Sequence, residues 1–206
     1  MWSDEAAMNT TNKLIVFCLL ILALSVSACG GMTHSDKPAT NTWWLEPYTG
    51  MTQETPSESA PLVAISITVV PGLDTDRILT LSDDAELNQF AAARWADNLP
   101  ELVTSLVGRT LEASGRFEIV SGRAGGSSEK CELRLKLQEF FALLSPSSQT
   151  TDVQVAIDGR FQCESDEPVP LKLNASIPVH DDRMSVIVAA FQRAMDSAMK
   201  DMIEQL

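Results

Sequence analysis

Cys131-Glu-Leu-Arg-Leu-Lys-Leu-Gln-Glu-Phe140-Phe-Ala-Leu-Leu-Ser145-Pro-Ser-Ser-Gln-Thr150-Thr-Asp-Val-Gln-Val-Ala-Ile-Asp-Gly-Arg160-Phe-Gln-Cys163 contains two alternating runs separated by Ser145-Pro146-Ser147-Ser148. That pattern is the sequence signature of a β-hairpin. With the turn centred on Ser147, Cys131 faces Cys163, Leu133 faces Phe161, Leu137 faces Ile157 and Phe141 faces Val153. Glu132, Lys136 and Gln138 then share the other face with Gln162, Asp158 and Gln154. A slip by one residue would carry these polar groups into the core, so the pattern sets the register independently of the cysteines. Arg134 facing Arg160 is a like-charge pair that counts against it. This register favours a disulfide between Cys131 and Cys163, with two separate core thiols as the alternative.

Further elements lie on either side of the hairpin. Upstream, Trp43-Trp44-Leu45 is a short β-like cluster, and Val63, Ile65, Ile67 and Val69 alternate as a strand that Pro71-Gly72 ends. Arg77 to Leu81 reads as another strand. Asn98 is placed as an N-cap, with Pro100 in the first turn and Glu101 three residues on as in a capping box. Leu99, Leu102, Val103, Leu106, Val107 and Leu111 follow at the spacing of one helical face, Gly115 closes the helix, and Phe117 to Val120 is a short strand. Downstream, Val169 to Pro178 alternates, and its two prolines point to an edge strand. From about Arg183, with Asp181 or Asp182 as cap, Ile187, Phe191, Ala194, Met195, Ala198, Met199, Met202 and Ile203 form one helical stripe. A stripe of this kind packs on a sheet more often than it forms a partner groove. The expected fold is α+β: a mostly antiparallel sheet of five to seven strands carrying two amphipathic helices, in one domain from residue 43 to 206.

The sequence of 206 residues is 45% hydrophobic and 21% charged, an ordinary globular composition. Its formal charge of -13 argues against a nucleic-acid surface, which needs clustered Lys and Arg. Leu14 to Leu24 is an unbroken apolar run of eleven residues after Lys13. A helix of that length spans only about half of a hydrocarbon core, so it reads as a signal-peptide h-region. Met8 would provide a more conventional start than Met1, since Asp4 and Glu5 are out of place in a basic n-region. Val26-Ser27-Ala28-Cys29 has the form of a bacterial lipobox, with an ordinary secretory signal as the alternative. The expected organisation is a lipoprotein signal peptide over 1–28, then lipidated Cys29 with a flexible tether over 29–42. Removing Asp4, Glu5 and Lys13 changes the charge from -13 to -13 + 2 - 1 = -12. Acyl chains on Cys29 would provide a stable membrane anchor, and Gly30 after the Cys favours sorting to the outer membrane, facing the periplasm.

The only histidines are His34 and His180, so a His-based metal site or catalytic triad has little to build on. His180-Asp181-Asp182 is the one polar cluster with chemical potential, and a loop with a helix cap accounts for it. Gly122-Arg123-Ala124-Gly125-Gly126 lacks the Lys and Ser/Thr of a phosphate loop. No enzymatic activity, cofactor or metal is expected.

Several phrases resemble the ABC-type transport auxiliary lipoproteins, the family containing the paraquat-inducible C-type lipoprotein that accompanies MCE (mammalian cell entry) lipid-transport systems. They are Trp43-Trp44-Leu45, Pro71 to Leu81, Arg94-Trp95-Ala96-Asp97-Asn98-Leu99-Pro100, and Val188 to Met195. The resemblance implies an auxiliary component of an envelope lipid or organic-solvent transport system, whose partners are an MCE-domain protein and the ABC transporter subunits. It brings no catalytic residues, and the Cys131 and Cys163 pair is not among its hallmarks. Trp43 and Trp44 are the candidate partner interface, because adjacent strand residues point to opposite faces and one should stay partly outside. The competing readings are a structural lipoprotein for outer-membrane assembly, a lipid-binding shuttle with a hollow core, and an envelope hydrolase around His180. Homo-oligomerisation, as rings or dimers, stays open.

Overall fold

A computed structural model describes residues 39–50, 60–120, 130–164 and 166–206. The signal peptide, Cys29, the tether up to residue 38 and the Gly122–Gly126 loop lie outside the described residues. The elements are β1 (Asn41–Trp43), β2 (Leu62–Val69), β3 (Arg77–Ser82), β4 (Leu87–Trp95), α1 (Leu99–Ser114), β5 (Glu118–Ile119), β6 (Lys130–Leu144), β7 (Thr150–Cys163), β8 (Val169–Pro178) and α2 (Met184–Gln205). Asn41 and Thr42, the last tether residues of the sequence reading, are already strand.

The sheet is organised on β6. One edge of β6 pairs with β7 along nearly its whole length, and β8 follows on the far side of β7, both antiparallel. The other edge is shared by two strands in succession. β2 runs parallel to Lys130–Leu137, and β3 runs parallel to Ala142–Leu144. The chain passes from one to the other through a turn at Val70–Leu73, where the Leu73 N–H donates to the Val70 carbonyl. Pro71 sets φ at the first central position and Gly72 takes φ 96° at the second, a conformation that favours glycine. β4 pairs antiparallel with β3, and β1 and β5 add parallel at β4 and β2.

Two expectations are therefore corrected. The sheet has eight strands, not five to seven, and it is mixed: four of the seven pairings among the described residues are parallel. The extra strand is β4, whose Leu-Asn-Gln-Phe-Ala-Ala-Ala-Arg-Trp has little intrinsic β character. Only Ala93 and Trp95 are fully buried in it, so alternation is visible in its last three residues alone.

The hairpin register holds at Cys131 with Cys163, Leu133 with Phe161, Arg134 with Arg160 and Leu137 with Ile157. It then changes. Gln138 is an extra residue in β6, and beyond it Phe141 faces Gln154 rather than Val153, which pairs with Ala142. Thr151 compensates in β7, so Leu144 again faces Thr150 across a turn centred on Ser147. That turn is a three-residue loop closed by the Ser145 N–H donating to the Gln149 carbonyl at 2.8 Å, with Ser148 left-handed at φ 61°. The Arg134–Arg160 repulsion is relieved by Glu132, which pairs with Arg134 on the same face.

Both helices cover one face of the sheet. α1 packs on β2 and β5, and α2 packs on β7 and β8. The predicted stripes are buried in full, including all eight named residues of α2. Trp95, Phe140 and Phe191 bind β4, β6 and α2 together, with ring centroids 4.8 to 5.7 Å apart. The other face is polar, with Ser66, Thr68, Arg134, Lys136, Asp158, Arg160 and Lys172 in solvent. Every core residue among the described residues falls within the compact unit Ala39–Leu206, which thus carries its own core.

The helix starts differ from expectation. Asn98 is the N-cap of α1, but its side chain makes no capping bond. The N-cap of α2 is Arg183, not Asp181 or Asp182. Asp181 accepts the Arg183 N–H, and Asp182 accepts the Thr150 N–H at 2.8 Å, tying the helix start to the hairpin.

Two glycines provide opposite tests of this packing. A Cβ on Gly159 would stand 2.5 Å from the Arg134 carbonyl oxygen and 2.6 Å from the Leu135 side chain. One on Gly108 meets only Ile65, at an ordinary 3.7 Å. In urea unfolding, Gly159→Ala should cost about 1–3 kcal/mol through overpacking against backbone. Gly108→Ala should stabilise by about 0.5–1 kcal/mol through helix propensity.

Candidate functional site

Trp43 and Trp44 lie where the chain enters the domain. The Trp43 carbonyl accepts the Ala96 N–H at 2.8 Å, and the Thr42 hydroxyl accepts the Arg94 Nε–H, so β1 is fixed to the end of β4. Trp43 is half-buried against the core, and its indole N–H is turned inward where it meets no acceptor among the described residues. Trp44 points the other way and is 45% exposed. The next residue, Leu45, is completely buried.

The segment beyond the strand is clamped by both helices. Arg109 of α1 donates to the Leu45 carbonyl at 3.1 Å, lies 4.8 Å over the Trp44 ring, and approaches the Glu46 carboxylate at 4.0 Å. Gln192 of α2 takes the Glu46 backbone at both of its polar groups. The Glu46 N–H donates to Gln192 Oε1 at 2.8 Å, and Gln192 Nε2 donates to the Glu46 carbonyl at 2.9 Å. The Tyr48 N–H donates to the buried Thr110 hydroxyl. Trp44 is thus an apolar platform with a guanidinium on its face, a surface able to take an apolar or acidic contact. Arg109, Thr110 and Gln192 went unmarked in the sequence, since each looks like a polar interruption beside a helical stripe.

Cys131 and Cys163 are joined by a disulfide, with their Cα atoms 3.9 Å apart. The Glu164 N–H donates to the Lys130 carbonyl, so the cysteines occupy the following non-hydrogen-bonded pair, where facing side chains approach closely. The bond fastens the open ends of β6 and β7, the two longest strands.

His180, Asp181 and Asp182 line an open cleft with Ser145, Gln149 and Thr150. The carboxylates of Asp181 and Asp182 are turned to structural use. Asp182 holds the hairpin, while the Arg183 backbone N–H and then its guanidinium hold the Asp181 carboxyl below its ordinary pKa. No cluster of three or more His, Cys, Asp or Glu suited to a metal occurs among the described residues. No helix among them is long and apolar enough to cross a membrane.

A family model described as "ABC-type transport auxiliary lipoprotein component" matches residues 45–203. The chain belongs to this family. The family is a transport auxiliary component and not a known enzyme family, and its lipoprotein character implies association with the cell envelope. No curated protein matches the chain. Among solved structures, one described only as an uncharacterized protein is similar at 11% identity and a TM-score of 0.62, over 82% of this chain and 97% of the other. A Xanthomonas campestris protein of the DUF330 family is similar at 17% identity and a TM-score of 0.60, over 81% and 90%. Both share the fold.

Two measurements probe the geometry. Reduction of the disulfide should lower unfolding free energy by about 3–4 kcal/mol in the chain-entropy account of a 33-residue loop. Equal free-thiol counts before and after reduction would contradict the bond. Gln192→Ala should cost about 1 kcal/mol and speed amide exchange at Glu46 selectively, because it removes both bonds to that peptide.

Proposed function

We propose that this protein is a periplasm-facing lipoprotein, moored at the outer membrane through acylated Cys29, which serves as the auxiliary component of an MCE-type lipid or organic-solvent transport system. Its role is to dock or stabilise the transport assembly at the membrane, with an MCE-domain protein and the ABC transporter subunits as partners. Membership of the auxiliary lipoprotein family over residues 45–203 carries this reading. Trp44, exposed beside Arg109 at the end of the tether, is the residue we assign to the partner contact. An anchored adaptor is served well by an exposed aromatic held on a rigid base, since little entropy is then lost on docking.

A lipid-binding shuttle is the second reading. It would keep a hydrophobic hollow under the helices. Instead the helix stripes interlock with the sheet, and Leu106, Leu111, Phe191 and Met195 have at most trace exposure. That filling favours docking over carriage.

The test is affinity purification of the full-length protein from its own envelope, followed by mass spectrometry of copurifying proteins and extractable lipids. Recovery of an MCE-domain protein with its ATPase and permease is the expected result, and Trp44→Ala should reduce that recovery several-fold without lowering thermal stability. Retained phospholipid would support the shuttle. Recovery of outer-membrane assembly subunits alone would transfer the protein to the structural class.

A further inference from the structure

The outer edge of β8 carries backbone groups that no strand among the described residues pairs. The Val179 N–H donates to the Thr151 carbonyl at 2.8 Å, and this bond fixes the orientation of the whole strand. Because bonded pairs alternate in an antiparallel ladder, Leu171, Leu173, Ala175 and Ile177 turn their N–H and C=O groups towards β7. Pro170, Lys172, Asn174, Ser176 and Pro178 turn theirs outward. No strand pairs with this edge among the described residues. Both prolines occupy outward positions, where a missing N–H costs the β7 ladder nothing, and they stand four residues to either side of Asn174.

We infer that this edge is an interface with a second copy of the chain, β8 against β8, antiparallel about a two-fold axis at Asn174. In that register Asn174 exchanges bonds with the partner's Asn174, and Lys172 and Ser176 exchange bonds with the partner's Ser176 and the partner's Lys172. Three pairs with two bonds each complete the open donors between the prolines, and each proline falls opposite the other just beyond the ladder. Centring on Lys172 sets two ammonium groups face to face and Asn174 against a proline. Centring on Ser176 also sets Asn174 against a proline. Only Asn174 leaves both prolines outside the bonded window, and this self-matching selects a second copy over an unrelated strand.

Side chains and charge agree with the pairing. On the helix-covered face, Leu171 and Leu173 adjoin the partner's Ile177 and the partner's Ala175. Ile177 and Ala175 are only half-buried in the single chain, and the pairing covers them. Val169, 37% exposed, comes beside the partner's Val179. The chain has 28 acidic residues and a net charge of -13, yet β8 contains none of them. Within the paired strands no carboxylate therefore faces another, and of the acidic residues just beyond the prolines Asp181 is already paired with Arg183. The inference is independent of the transport reading.

Sedimentation equilibrium on the compact unit Ala39–Leu206, which carries its own core, tests it across a concentration series. A monomer–dimer equilibrium is expected. Asn174→Pro should weaken the dimer by about 10–100-fold, since it removes two central bonds. At a concentration where the unsubstituted chain is monomeric it should leave the circular dichroism spectrum and thermal midpoint unchanged, because the Asn174 N–H bonds nothing among the described residues. Asn174→Asp leaves the backbone intact and should weaken the dimer several-fold at neutral pH, with recovery once the facing carboxylates are protonated. A monomer at every concentration, or a dimer indifferent to both substitutions, would overturn the proposal.

Discussion

The single extra residue at Gln138 controls how this domain is put together. Before it, β6 turns Cys131, Leu133, Leu135 and Leu137 to the helices. After it, the parity changes, and Phe140 and Ala142 become the fully buried positions, with Phe141 between them also in the core. Without the bulge, Phe140 would share the solvent face with Arg134 and Lys136, and the Trp95–Phe140–Phe191 cluster would lose its middle member. A bulge also bends and twists the strand that carries it. The change of neighbour on the other edge of β6, from β2 to β3, occurs at the same level. Thr151 restores the register before the turn, so the hairpin loop remains centred on Ser147.

The parts of this fold that were legible in the sequence are those whose signal is periodic and local. Both helices, the hairpin turn, the edge character of β8 and the facing cysteines follow from spacing alone. The bulge did not, because Gln138 is an unexceptional polar residue in a strand of alternating side chains. Nor did the parallel pairing of β2 and β3 with β6. Their partner is more than fifty residues away, and nothing in either strand names it. β4 was missed for a different reason: Ala91-Ala92-Ala93 is a helix-forming run that tertiary contacts with β1 and β3 hold as strand.

The candidate site divides along the same line. Alternation at Trp43-Trp44-Leu45 correctly implied that adjacent side chains part company, and Trp44 is exposed while Leu45 is buried. What positions them was invisible. Arg109 lies sixty-four residues from Leu45, and Gln192 lies 146 from Glu46. Such contacts between backbone and a distant side chain leave no pattern in either segment. The aspartates before α2 show the converse hazard, since a capping motif was present and the carboxylates were used elsewhere.

The clamp on residues 43–48 has a mechanical meaning for any protein tethered at its N-terminus. β1 alone is three residues paired at the margin of the sheet, and a pull on it could unzip its bonds to β4 one at a time. The clamp prevents that sequence of events. Leu45 is seated in the core, while Arg109, Thr110 and Gln192 fasten the following backbone to both helices. A load arriving through the tether would therefore pass into α1 and α2, and through their buried stripes into the whole sheet. Trp44 rides on the same rigid base as the point of attachment. For a docking lipoprotein, the point where the tether joins the domain and the partner contact would then move as one body.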